Sequence, residues 1–198
     1  TTMRSLMTRA EADLGGAKLK NTDLTRARLK KANLKSANLN DAKLIRADLT
    51  DAELNNAELE NANLRNSKLK KAKLNDAKLK GANLTSAKLE KADLSNASLN
   101  KAKLRKADLT KANLKNAVLK RAILDKADLA EANLAYASLN SAKLKKANLT
   151  KAYLKNASLK RATLTNANLS WANLRNANLF KADLKRANLS NACLLYTS

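Results

Sequence analysis

Residues 23–39 read DLTRARLKKANLKSANL, with Leu24, Leu29, Leu34 and Leu39 five apart and Ala27, Ala32 and Ala37 each two residues before a leucine. Five residues advance an α-helix by ~140°, so leucines at this spacing would scatter around a helix and leave no apolar stripe. On a flat strand an odd period sends alternate leucines to opposite faces. Ala, Leu and Lys favour a helix locally, but the period overrides them. A chain that turns once per five residues keeps every leucine and alanine on one side.

The same unit extends in both directions from this stretch. Leucine stands at every fifth position from Leu14 to Leu194, 37 times, and alanine stands two before it from Ala12 to Ala192 except at Thr22 and Ser67. The phase never slips, so one elongated domain is expected, with no linker. There is no proline, only three glycines and 3% aromatic residues. A core must therefore be made of leucine and alanine. With no histidine and one cysteine, Cys193, neither a disulfide framework nor a Cys/His metal site can be assembled. Every carboxylate in the repeat lies at an outward position, and there is no nucleophile–base pair or Gly-rich phosphate loop. An enzyme, a cofactor and a small-molecule substrate are not expected.

The Ala-(Asp/Asn)-Leu unit, as in Ala47-Asp48-Leu49 and Ala32-Asn33-Leu34, resembles the repeat of the pentapeptide-repeat family, over residues 12–192. The resemblance implies an all-β fold, a right-handed quadrilateral β-helix (β-solenoid) with four repeats per 20-residue coil, hence about nine coils. Leucine and alanine would face inward and the other three residues outward. Coils spaced like paired strands would give a rod ~45 Å long, with hydrogen bonds running between coils, since no coil can satisfy its own backbone. Each buried leucine contributes ~1.5–3 kcal/mol of transfer free energy before ordering entropy is set against it. Alanine is expected where the backbone bends tightly.

A 20-residue coil sorts the outward positions into columns. One reads Asn56, Asp76, Asn96, Asn116, Tyr136, Asn156, Asn176; its asparagines are expected to form a structural ladder, as stacked amides do in cross-β assemblies. The face at coil positions 1–6 carries a candidate basic strip: Lys101, Lys103, Arg105, Lys106, Arg121, Lys126, Lys143, Lys145, Lys146, Arg161, Lys181, Lys185 and Arg186, against Asp125 and Asp183. Stacked like charges cost folding energy. The strip reads either as solvated surface or as an anion-binding site. Positions 16–20 are short-chained and nearly uncharged (Asn96, Ser98, Asn100, Asn116, Val118, Ser138, Asn140, Asn156, Ser158, Asn178). Tyr136, Tyr153 and Trp171 fall on adjacent coils near one corner, with Phe180 further round, and form a candidate aromatic contact patch. Residues 41–60 read as locally acidic, with Asp41, Asp48, Asp51, Glu53, Glu58 and Glu60 against Lys43 and Arg46.

A net charge of +23 from 40 basic and 17 acidic residues implies an acidic partner. The expectation is a non-catalytic scaffold presenting a basic surface to a protein partner. The alternative is non-specific binding of nucleic acid or another polyanion, although lysine outnumbers arginine and aromatics for base stacking are few. Some members of the resembled family act on gyrase as duplex-DNA mimics, which needs an acidic surface; the charge sign argues against that here. A homodimer is compatible with the rod.

Residues 1–11 break the repeat and, with Met3, Leu6 and Met7, are expected to cap the first coil. No apolar run approaches the ~20 residues of a membrane span, and Thr1 to Ala10 do not resemble a secretory signal, so a cytoplasmic location is expected. The closing Cys-Leu-Leu-Tyr-Thr-Ser, residues 193–198, matches what a common transposon-based sequencing adapter encodes in one frame. It is read as a non-native or uncapped tail.

Overall fold

The structure, a computed structural model, describes residues 11–194. Within them the chain pairs with itself at a fixed offset of 20: Asp13 with Asn33, Lys18 with Asn38, and so on to Asn173 with Cys193, always parallel. Four pentads therefore complete one coil. Each pairing is a single-residue bridge between turns, and no strand longer than one residue occurs among the described residues. The expected all-β class holds in that reduced sense: backbone pairing is β-like, but the corners come too often for a strand to extend.

The turn explains the period. Each alanine N–H donates to the carbonyl of the leucine three residues earlier, as from Ala107 to Leu104 at 3.0 Å. Of the two residues between, only the second has positive φ, from +54° to +70° in every repeat from Glu11 to Asn191. These features define a type II β-turn. The tight bend thus falls on the residue before alanine, not on alanine itself. Alanine is small because it lies inside, almost everywhere fully buried beside the leucines.

Backbone hydrogen bonds can be accounted for one by one in Ala107 to Lys111. Ala107 closes its turn, Asp108 N–H donates to Ala87 O at 3.0 Å, Leu109 to Asp128 O at 2.7 Å, and Lys111 to Ala130 O at 2.9 Å. Only Thr110 N–H finds no backbone acceptor. It donates instead to Asp108 Oδ1 at 3.2 Å, an Asx turn. All 18 Asn or Asp residues between an alanine (or Thr22) and a leucine make this bond, at 2.9–3.3 Å. The Asp/Asn of the unit is therefore the acceptor for the one N–H that coil pairing leaves over. Where it is missing, the carboxamide or carboxylate one coil below can serve, as Asp125 does for Lys145 N–H at 3.1 Å.

The two breaks in the alanine column obey the same accounting. Thr22 Oγ1 and the buried Ser67 Oγ each donate to the leucine carbonyl three residues back, at 2.7 Å. Of the expected cap at 1–11, only Glu11 lies within the described residues; its N–H already pairs with Lys30 O at 2.8 Å. At the other end Cys193 N–H donates to Ala172 O at 2.9 Å, so the register continues into Cys193. The rest of the expected tail, residues 195–198, lies outside the described residues.

Candidate functional site

The 20-residue register fixes where each outward side chain stands. Lys101, Arg121, Arg161 and Lys181 share one positive-φ column; Lys106, Lys126, Lys146 and Arg186 share the next. Between them, Lys103 and Lys143 occupy the bridge column, and Arg105, Lys145 and Lys185 the turn position beside the second corner. The structure thus brings the basic strip together on one face. Thr163, Thr165 and Asn166 interrupt it for one coil.

Both corners of this face are open grooves. One, of about 430 Å³, is lined by Arg105, Lys106, Asp125, Lys126, Lys145 and Lys146. The other, of about 470 Å³, is lined by Lys80, Asn100, Lys101, Lys120 and Arg121. Lys80 and Lys120, which line this second groove, lie outside the candidate strip because that strip follows a face of the coil rather than a corner. The first corner also extends toward the N-terminus, where Arg26, Arg46 and Arg65 line a further groove.

Electrostatic pairing separates the two halves of the rod. Eight of the ten ion pairs among the described residues have both partners at or before residue 108. Of the six carboxylates in the acidic run at 41–60, Asp48, Glu53 and Glu58 are paired with lysines of adjacent coils. Glu53 lies between Lys35 at 2.6 Å and Lys73 at 2.7 Å, and Lys78 reaches Glu58 at 2.9 Å. Hydrogen bonds from Lys35 and Lys73 lower the Glu53 pKa to about 2. That of Glu58 is lowered chiefly by its bond from Lys78. On the strip, only Arg105 has a carboxylate within 4.0 Å, Asp125 at 3.5 Å. The other twelve cations are left without one among the described residues, and Lys181 stands instead over the Phe180 ring, 5.2 Å from its centroid.

The asparagine column shares a left-handed backbone, φ +56° to +60° at Asn56, Asn96, Asn116, Asn156 and Asn176. Asparagine tolerates that region better than most residues, which accounts for its presence there. One side-chain link along this column is Asn116 Nδ2 to Asn96 Oδ1 at 3.1 Å. Side-chain ladders also form in the bridge columns, where Asn133 donates to Asn113 at 3.3 Å and Asn113 to Asp93 at 3.0 Å. Tyr136, Tyr153 and Trp171 are exposed and cross one face diagonally, from corner to bridge to corner on successive coils. That face lies half a coil away from the basic strip. Among the described residues no group of three or more His, Cys, Asp or Glu could hold a metal, and no helix is long and apolar enough to cross a membrane.

The family model for pentapeptide repeats, in 8 copies, matches segments that together run from residue 10 to residue 194. The chain belongs to the pentapeptide-repeat family. This pentapeptide-repeat chain is similar to HetL, involved in heterocyst differentiation regulation in the cyanobacterium Nostoc sp. strain PCC 7120. The identity is 34% over 93% of this chain and 90% of that one, with a TM-score of 0.52. A pentapeptide-repeat protein of the Arabidopsis thaliana thylakoid lumen is 30% identical over 44% of this chain and 61% of its own, with a TM-score of 0.44. QnrB1, a plasmid-mediated fluoroquinolone resistance protein, is 18% identical over 82% of this chain and 87% of its own, also with a TM-score of 0.44. A comparison with curated protein sequences returns no match. The pentapeptide-repeat chain is thus a repeat scaffold.

Proposed function

We propose that this scaffold is non-catalytic and recruits an acidic macromolecular partner to the face bearing residues 101–186. One observation carries the reading: among the described residues twelve of the thirteen strip cations have no carboxylate within 4.0 Å, whereas eight of the fourteen lysines before residue 101 have one. Leaving stacked cations unneutralised costs folding energy, and an acidic partner would offset that cost. A protein surface rich in Asp and Glu is the first partner class. A polyanion is the second, favoured by the two cationic corner grooves. The family likeness also supports the expected right-handed coil and a count of about nine coils.

The test is binding to poly-glutamate and to phosphate polymers, with Lys103→Glu and Lys143→Glu introduced together. Both lie in a bridge column at the centre of the face, and Glu53 and Glu58 already occupy bridge positions without breaking register. The reading expects the double variant to lose most of its affinity for every acidic probe. If the parent chain binds none of them at low salt, the reading fails.

A further inference from the structure

The geometry points to the corner lined by Arg105, Lys106, Lys126, Lys145 and Lys146 as a binding seam for a linear chain of phosphate groups, lying along the axis of the rod. This rests on the reading of the 101–186 face as the docking surface, and commits it to one partner chemistry.

Three features of the corner select that chemistry. The first is repetition along a line. Lys106, Lys126 and Lys146 occupy the same turn position, at φ +58°, +59° and +58°. Each backbone is pinned to the next coil, with Lys106 N–H on Asp125 O at 3.1 Å, Lys126 on Lys145 O at 2.9 Å and Lys146 on Thr165 O at 3.0 Å. Their side chains therefore leave the rod from equivalent points at the inter-coil pitch of ~4.8 Å. Carboxylates on a folded protein surface rarely keep such a line; a phosphate polymer carries one charge per unit.

The second feature is how the single carboxylate is used. Asp125 accepts from the backbone N–H of Lys145 at 3.1 Å and pairs with Arg105 at 3.5 Å. It is held within the corner, and the four lysines have no carboxylate within 4.0 Å among the described residues. Third, every residue lining the groove is Arg, Lys or Asp. A docked protein surface draws its affinity from buried aromatic or aliphatic anchors, and the exposed Tyr136, Tyr153 and Trp171 stand half a coil away. The seam resumes beyond short neutral gaps, at Lys185 and Arg186 on one side and at Arg65 and Arg46 on the other.

The decisive experiment titrates salt against binding of an oligo-dT single strand, inorganic polyphosphate and poly-glutamate. Four lysine–phosphate contacts predict a slope of about −3 in log affinity against log salt for a single strand. The seam variant combines Lys106→Asn, Lys126→Asn and Lys146→Asn. Asn66 and Asn166 already stand in that column at φ +58° and +56°, so the fold accepts the change. A control variant, Lys91→Asn, Lys111→Asn and Lys151→Asn, removes equal charge from the next corner. The expected result is a slope shallower by about 2 and an affinity about tenfold lower or more for the seam variant, with a much smaller change in the control. Such a loss with oligo-dT alone assigns nucleic acid; with polyphosphate alone, or with both, it assigns the bare phosphate chain. Equal losses in the two variants overturn the seam, because net charge alone would then explain binding. Binding to poly-glutamate without either phosphate polymer overturns the phosphate assignment while leaving the basic-face reading intact. Binding to none of the three removes both.

Discussion

Tyr136 and Trp171 hold their backbones at φ +60° and +61°, where Cβ crowds the following carbonyl at a cost of roughly 1–2 kcal/mol for a residue other than glycine. Tyr136→Asn is expected to recover part of that roughly 1–2 kcal/mol, since asparagine tolerates the left-handed region, and to return an asparagine to the column above Asn116, as a thermal melt would show. Val, Ile and Thr are absent from all 37 of these turn positions, although threonine is common one residue earlier. That avoidance is the trace the left-handed backbone leaves in the sequence. It is easy to pass over, because Lys, Asn, Arg and Ser fill the same positions without any common chemistry. The Asx acceptors were half legible: the preference for Asn or Asp before leucine is plain. Their partner could be named only once coil pairing showed which N–H remained. Asn113→Ala removes the acceptor for Lys115 N–H and the middle of the Asp93–Asn113–Asn133 ladder. A loss of about 1–2 kcal/mol in denaturant unfolding is expected. Asn113→Asp keeps the acceptor for Lys115 N–H but loses the donor to Asp93 and sets two carboxylates against each other, so it too should destabilise at neutral pH.

Between neighbouring coils, the unit of stability is the pair of pentads 20 residues apart. The period alone gave the inward leucines and alanines and the need for bonds between coils. It did not give ion pairing, because the partners Glu53 and Lys73 look unrelated until they are stacked. Glu53 titrates at about 2 in the fold, against an ordinary value of 4.5. Between those values the folded chain binds fewer protons than the unfolded chain, so stability is full above the upper value and falls as pH drops through the window. Melting temperatures measured from neutral pH down to about pH 2.5 should therefore decline. Glu53→Gln should shallow that decline while lowering the neutral-pH melting temperature slightly. The lowered values of Glu58 and Glu90, each set first by a lysine hydrogen bond, act in the same direction.

For the whole rod, every backbone bridge joins a coil only to the next, so stability is a sum of nearest-neighbour terms. Leu104 is almost fully buried near the middle, and Leu104→Ala is expected to cost about 2–5 kcal/mol. Because the damage stays local, hydrogen exchange should accelerate in the coils around residue 104 and leave distant coils nearly protected. Uniform acceleration along the chain would contradict nearest-neighbour behaviour. The core of such a rod does not register which pentad lies at which corner. Inserting one extra Asn-Ala-Asn-Leu-Thr after Ala130 would preserve every inward contact, yet turn all that follows by a quarter of a revolution and carry Lys146 out of line with Lys106 and Lys126. Inserting four would restore the alignment. Length counted in fives is what this fold tolerates, whereas length counted in twenties is what its surface can read. The uninterrupted phase from Leu14 to Leu194 therefore works as an address for every side chain on the outside.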